Sequence, residues 1–212
     1  MALFSFASIQ ESIFVKIICL TGGIASGKSS AAMLLESLGA KVIDADKLGH
    51  RSYQKGTLTY DKLTKAFGRK IIRSDGEIDR KILGTIVFND EKRLKNLTDI
   101  VWPSIRFLAE QEIEELKKND REATVVLEAA VLIEAGWETI GTETWVIEVN
   151  PEVAVRRIVL RNQISESEAR SRINSQLTNQ ERAAKADVII TNNGSTERFF
   201  QEVKKCWLSS AR

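Results

Sequence analysis

Leu20-Thr21-Gly22-Gly23-Ile24-Ala25-Ser26-Gly27-Lys28-Ser29-Ser30 decides how this chain is read, because Gly22 to Ser29 fits G-x-x-x-x-G-K-[ST]. Apolar residues 15–20 precede the motif as a buried strand would. Residues 29–38 follow it with apolar positions at helical spacing, until Gly39 ends the helix. Strand, glycine loop and helix is the order a phosphate-binding loop requires. Glycines let the backbone turn its N–H groups inward, so Gly23, Ile24, Ala25, Ser26, Gly27, Lys28, Ser29 and Ser30 form the expected nucleotide-binding run. The positive end of the following helix points at the same charge. Lys28 is expected to reach the β- and γ-phosphates of ATP, and the Ser29 hydroxyl to ligate the Mg2+ that bridges them. The plainer alternative is a glycine-rich turn that caps a helix and carries a solvated lysine.

Outward from this loop, 212 residues suffice for one α/β core with an inserted subdomain. The formal charge is +2, from 31 basic and 29 acidic residues. That balance gives no broad field for nucleic acid or anionic lipid, so anion sites must be local. Cys19 and Cys206 lie far apart, with no C-x-x-C and no histidine cluster, which is cytosolic usage without a zinc or disulfide framework. No apolar run reaches membrane-span length. Residues 1–14 lack the basic start and long apolar core of a signal peptide, and they read as a short extension before the first strand. A cytoplasmic location is the default, with mitochondrial association left open.

Residues 41–44 read as a second strand that delivers Asp44-Ala45-Asp46 to a loop. In an open parallel sheet, ligands sit beyond the carboxyl ends of the strands, where both this loop and the glycine loop emerge. An aspartate there can take a proton from an attacking hydroxyl or hold metal-bound water; it can also simply cap a helix. Between residues 47 and 120 strand signals all but vanish. Tyr60, Leu63, Ala66 and Phe67 share a helical face that Gly68 closes, Asp75-Gly76 is a turn, and Asp79 and Asp90 can each cap a helix. Pro103 suits the first turn of a further helix through Ile105, Ala109, Ile113 and Leu116. This segment is read as a helical insertion large enough to hold a substrate.

Residues 123–127 give the third strand, expected at the centre of the sheet and ending at Glu128, which either helps hold Mg2+ or is structural. Residues 145–149 form a fourth strand. Asn150-Pro151 then caps and starts a helix in which Arg157 and Arg161 share a face at i, i+4 spacing and can clamp a polyphosphate. Ser165-Glu166-Ser167-Glu168 is a capping-box sequence opening a helix through Gln176. The resulting hairpin is either a lid that delivers arginines to a transferring group or an ordinary surface element. Residues 186–190 form a fifth strand, and Asn192-Asn193-Gly194-Ser195 turns into the last helix, where adenine could rest against backbone. Trp137, Trp145 and Trp207 read as core. His50 is either a substrate contact or a surface residue.

Taken together, these residues resemble the dephospho-coenzyme A kinase family. The likeness runs through Thr21-Gly22-Gly23-Ile24, Val42-Ile43-Asp44-Ala45-Asp46, Asp75-Gly76-Glu77-Ile78-Asp79-Arg80-Lys81, Leu83-Gly84, Val87-Phe88 and Pro103-Ser104-Ile105-Arg106. It continues from Arg157 to Ser195 through Gln176, Ala186-Asp187 and Asn193-Gly194-Ser195. Leu48-Gly49-His50-Arg51, Trp102-Pro103, Glu128-Ala129-Ala130-Val131-Leu132 and Glu134-Ala135-Gly136-Trp137 look most like the kinase domain of the animal bifunctional coenzyme A synthase. If complete, this chain would perform one step only.

The resemblance implies a P-loop NTPase-type parallel sheet flanked by helices, with a helical insertion domain and a lid. The core would be residues 15–46 and 122–208, the acceptor-binding insertion 47–121 and the lid 157–182. It implies transfer of the γ-phosphate of ATP to the ribose 3′-hydroxyl of dephospho-CoA, with Asp46 as base, Lys28 as the P-loop lysine and Arg157 and Arg161 as lid arginines. Asn193 is carried over as a nucleotide contact. The chain departs from the bacterial pattern at Trp102 (usually His), Asn162 (usually Asp) and Glu128-Ala129-Ala130 (often D-x-P). The competing readings are a P-loop kinase for another small acceptor and a nucleotide-binding switch without chemistry; no N-K-x-D guanine-reading motif is present.

Overall fold

The computed structural model describes residues 15–88 and 90–210, so the expected extension at residues 1–14 lies outside it. Five strands, β1 (Ile17–Gly22), β2 (Lys41–Asp44), β3 (Val125–Glu128), β4 (Glu143–Glu148) and β5 (Val188–Thr191), form one sheet in the order β2-β3-β1-β4-β5. Every pairing is parallel. This is a P-loop-type α/β sheet flanked by helices, as the motif order implied. The centre differs from expectation, because β1, not β3, holds the middle position. The crossover from β1 through α1 (Lys28–Ser37) skips one place before β2, and β3 fills that gap on returning from the insertion.

Alternation along β1 divides the core. Ile17 and Cys19 face one side of the sheet with Val125 and Leu127, whereas Ile18 and Leu20 face the other with Val126, Trp145 and Ile147. All six residues of β1 are buried, as expected for a central parallel strand covered on both faces. On the second face, α1 packs through Ala31, Ala32 and Leu35, and α9 (Thr196–Ser210) through Phe199 and Val203. Trp145 is fully buried there and Trp207 packs partly buried against the cluster.

The first face is covered by the helices between β2 and β3: α2 (Ala45–Ser52), α3 (Leu58–Phe67), α4 (Arg80–Val87) and α5 (Glu91–Asn119). Their buried residues, including Leu48, Leu63, Phe67, Leu83 and Ile105, belong to the same apolar cluster as Ile17 and Leu127. Caps mark the helix starts. Asp79 accepts from the N–H groups of Lys81 and Ile82 at 2.9 and 3.0 Å, and Asp90 from that of Arg93 at 3.0 Å. Gly76 at the Asp75-Gly76 turn has φ 87°, and the turn closes an isolated antiparallel bridge between Ile72 and Ile78.

Pro103 does not start a helix. It lies inside α5, which runs unbroken for 29 residues. The ring removes one bond to the Asp99 carbonyl, but both residues are exposed, so water can satisfy that oxygen. Meanwhile Val101, Ile105, Ala109 and Ile113 keep one continuous buried face across the proline. Tertiary packing therefore outweighs the local break.

After β4, α6 (Pro151–Asn162) starts behind the Asn150 cap, which accepts from Glu152 N–H at 2.9 Å. The hairpin partner α7 (Glu166–Asn174) stops short of Gln176. Ser165 accepts from Glu168 N–H, but the Glu168 carboxylate reaches forward to Arg172 at 2.8 Å, so the box there is half formed. The full reciprocal box forms at Thr178 and Glu181, opening α8 (Asn179–Ala183). No helix among the described residues is long and apolar enough to cross a membrane.

A single cluster shared by insertion and sheet predicts that Leu63→Ala, which empties a fully buried position, lowers stability by about 2–5 kcal/mol in one cooperative urea transition. Two resolved transitions, or a loss well below 1 kcal/mol, would contradict the shared core.

Candidate active site

The loop between β1 and α1 is shaped by contacts that exclude side chains at two glycines. A Cβ at Gly22 would stand 2.5 Å from the Ile147 carbonyl oxygen and 2.6 Å from Ser26 Oγ. Gly27 caps α1 in the left-handed region at φ 95°, and a Cβ there would collide with the Asn192 amide. Ala25 is also left-handed, at φ 60°, a strained state for a residue with a side chain and one that clusters at ligand-binding loops.

Lys28 and Ser29 emerge on the first turn of α1 and meet Glu128 at the end of β3. One carboxylate oxygen, Oε1, accepts from Lys28 Nζ at 2.6 Å and from Ser29 Oγ at 2.7 Å. The pair is largely removed from water, with side-chain exposures of 12 % for Lys28 and 9 % for Glu128. Glu128, whose role sequence left open, is thus joined directly to both chemistry-bearing residues of the motif. Ser29 Oγ and a carboxylate are hard oxygen donors of the kind Mg2+ takes beside phosphate oxygens. Among the described residues no group of three or more His, Cys, Asp or Glu forms a protein-only metal cage.

Three side chains from the far half of the chain hold the loop backbone. Arg157 donates to the Ala25 carbonyl at 3.1 Å and to Asn192 Oδ1 at 3.2 Å. Asn192 donates its amide to the Ser26 carbonyl at 2.7 Å and is buried. Gln176 accepts from the Ile24 N–H at 2.9 Å. Arg161 lines the same cavity, its Nε donating to Asn162 Oδ1 at 2.8 Å, so a neutral amide orients it. Asn193 is placed elsewhere: its Oδ1 accepts from the Asn150 N–H at 2.6 Å, and its neighbour Asn192 lines the loop cavity instead. β5 buries Ile190, and the same two-residue alternation carries Asn192 inward and Asn193 outward.

The two aspartates of Asp44-Ala45-Asp46 separate. Asp44 is the cap of α2, accepting from the N–H groups of Asp46 and Lys47 at 2.9 and 3.2 Å. Asp46, exposed on the first turn of α2, lines two cavities at once. One, of about 590 Å³, contains the glycine loop, Arg157 and Arg161. The other, of about 1430 Å³, lies against the insertion helices. Its wall carries Tyr53, Leu83, Phe88, Trp102 and Trp137, and its polar lining includes His50 with the cations Arg73, Arg80 and Lys81. Trp102 and Trp137 meet edge to face with centroids 6.4 Å apart. Trp137 is therefore both core, at 2 % exposure, and cavity wall.

One buried cation was not singled out by the sequence. Arg182 on α8 is 2 % exposed, with Nη2 at 3.5 Å from Glu134 Oε1. Burial pulls its pKa below the ordinary value, opposed by the charges of Glu134 and Glu181.

Residues 16–198 match the family described as dephospho-CoA kinase. A dephospho-CoA kinase of Geobacter sulfurreducens is 44 % identical over 193 residues, covering 91 % of this chain and 98 % of that protein. Among solved structures, the dephospho-CoA kinase from Campylobacter jejuni superposes with a TM-score of 0.70 at 34 % identity, over 92 % of this chain and 96 % of that one. A Thermus thermophilus crystal structure gives a TM-score of 0.79 at 31 % identity, over 93 % and 98 %.

The contacts at Gly27 predict that Gly27→Ala lowers stability by about 1–3 kcal/mol, measured by thermal or urea unfolding, because the left-handed backbone and the Asn192 amide both oppose a side chain. A neutral effect would contradict the loop geometry.

Proposed function

The chain belongs to the dephospho-CoA kinase family and transfers the γ-phosphate of ATP to the ribose 3′-hydroxyl of dephospho-CoA, giving CoA and ADP; from that premise we propose how its residues divide the reaction. The observation that carries the proposal is the position of Asp46, common to the glycine-loop cavity and the insertion cavity. ATP phosphates bind the loop from Gly23 to Ser30, and dephospho-CoA fills the insertion cavity. The hydroxyl to be phosphorylated then lies at the junction, beside Asp46.

Each residue acts through its own chemistry. Asp46 accepts a hydrogen bond from the attacking hydroxyl, aims it at phosphorus and takes its proton as the bond forms. Lys28, held near the cavity by Glu128, moves its donors onto the β- and γ-phosphate oxygens. Arg157 and Arg161 add fixed positive charge where the transferring group spreads its own, and preorganised charge of this kind supplies most of the acceleration in phosphoryl transfer. Ser29 Oγ and Glu128 would hold Mg2+, which when bound neutralises phosphate charge and orients the leaving group.

On the acceptor side, Arg73, Arg80 and Lys81 suit the diphosphate of dephospho-CoA, and the wall of Tyr53, Trp102 and Trp137 suits its less polar arm. Residues 47–121 are thus the acceptor-binding segment. Residues 157–182, whose Arg157 and Gln176 already touch the loop, are the lid that excludes water. Because Asp46 borders both cavities, the acceptor hydroxyl can reach phosphorus itself, and the proposed transfer is one displacement with ADP leaving and no phosphoenzyme.

Purified protein with magnesium-ATP is expected to release ADP with dephospho-CoA and not with AMP, gluconate or shikimate. Turnover of another acceptor alone would reject the acceptor assignment. Asp46→Asn should lower kcat by about 10²- to 10⁴-fold with ATP affinity nearly unchanged. A variant whose only defect was weak ATP binding would remove Asp46 from this role. Lys28→Ala should impair both ATP binding and turnover, and normal activity would refute the phosphate-loop assignment.

A further inference from the structure

Arg182 combines near-complete burial with incomplete pairing. Its Nη1 donates to the Leu177 carbonyl, but among the described residues Nε and Nη2 have no hydrogen-bond partner, and neither does Glu134 Oε2. The nearest carboxylate oxygen, Glu134 Oε1, is 3.5 Å from Nη2, long for a charge-assisted bond. Native interiors satisfy most buried polar groups, so a buried guanidinium with donors to spare calls for a partner.

Its surroundings indicate what that partner is. Nη1 lies 3.4 Å from the point where a Cβ on Gly23 would stand, so the guanidinium rests against the bare backbone of the glycine loop. Gln176, six residues earlier, bonds the next residue of the loop at the Ile24 N–H. Both Gly23 and Gln176 line the loop cavity, together with Ala130, which follows Glu128 on the loop after β3. Arg182 therefore stands against the leg of the loop at residues 23–24, behind residues that line the loop cavity rather than in its lining. Arg157 holds the loop one residue further on, at Ala25.

We propose that Arg182 is a further substrate-contacting arginine, which donates past the side-chain-free Gly23 to a terminal phosphoryl oxygen of the bound nucleoside triphosphate. Its planar fork matches the paired oxygens of a phosphoryl group, and burial strengthens such a contact. Glu134 keeps the guanidinium oriented in the absence of nucleotide and is a positioning residue. This inference rests on the assignment of the glycine loop to ATP phosphates. The competing role for Arg182 is a latch that ties α8 to the loop after β3 through Glu134.

Calorimetric binding of ADP and of non-hydrolysable β,γ-imido-ATP to wild type, Arg182→Gln, Arg182→Lys and Glu134→Gln separates the two roles. Contact with the terminal phosphoryl group predicts that Arg182→Gln loses about ten- to hundredfold in imido-ATP affinity while ADP affinity changes less than threefold. Arg182→Lys should fall between, because it keeps the charge and loses the fork. Glu134→Gln should keep wild-type preference for the triphosphate. If Arg182→Gln does not fold, Arg182→Lys carries the test, and equal affinity losses for both nucleotides overturn the proposal. A Glu134→Gln variant that reproduces the arginine defect overturns it in favour of the latch. A wild type that binds neither nucleotide would reject the loop assignment and this inference together, whereas normal wild-type binding with no triphosphate-selective loss rejects this inference alone.

Discussion

A single carboxylate oxygen, Glu128 Oε1, accepts from both the lysine and the serine of the glycine-loop motif, and the layout of the site follows from how that contact is made possible. Glu128 ends β3, and the parallel register pairs it with Leu20 on one side and Asp44 on the other. Sliding β3 by one residue would turn Glu128 to the opposite face of the sheet. The same register brings the end of β2 alongside, so that α2 begins there and Asp46 projects from its first turn. Sheet pairing thus brings Lys28, Ser29, Glu128 and Asp46 together around one crevice, at the carboxyl ends of the strands where open α/β sheets bind ligands.

The loop is held from outside as well as from within. Arg157 and Asn192 fix the carbonyls of Ala25 and Ser26, and Gln176 occupies the Ile24 N–H. These residues come from α6, the end of β5 and the turn before α8, so elements far along the chain set the shape of the glycine loop. Carbonyls held by arginine and asparagine are kept from turning into the loop, where they would repel an anion. Two loop N–H groups already have partners, that of Ile24 in Gln176 at 2.9 Å and that of Ser26 in the Gly23 carbonyl at 3.1 Å.

Much of this was legible in the sequence because it is local. Glycine spacing, the apolar run before it and the helical pattern after it specify β1, the loop and α1, and the caps at Asp79, Asp90 and Asn150 are local chemistry too. What failed depends on distant contacts. Pro103 looks like a helix start until the buried face from Val101 to Ile113 is seen to run through it. Strand order cannot be read from strand sequence when two strands are buried along their whole length, as β1 and β3 are, which is why β3 was expected at the centre. Asn192 and Asn193 are adjacent and chemically alike, and only the alternation carried on from Ile190 tells them apart. The loop contacts of Gln176 and Arg182 come from more than 150 residues away along the chain and leave no spacing signal.

The central claim is that both substrates meet over Asp46 and that phosphorus passes directly from ATP to the acceptor hydroxyl. Its most direct test is the stereochemical course with ATP made chiral at the γ-phosphorus by oxygen isotopes, read in the product phosphate. One in-line displacement predicts inversion of configuration. Retention would mean two displacements through a phosphorylated residue of the protein, and would contradict this account of the site.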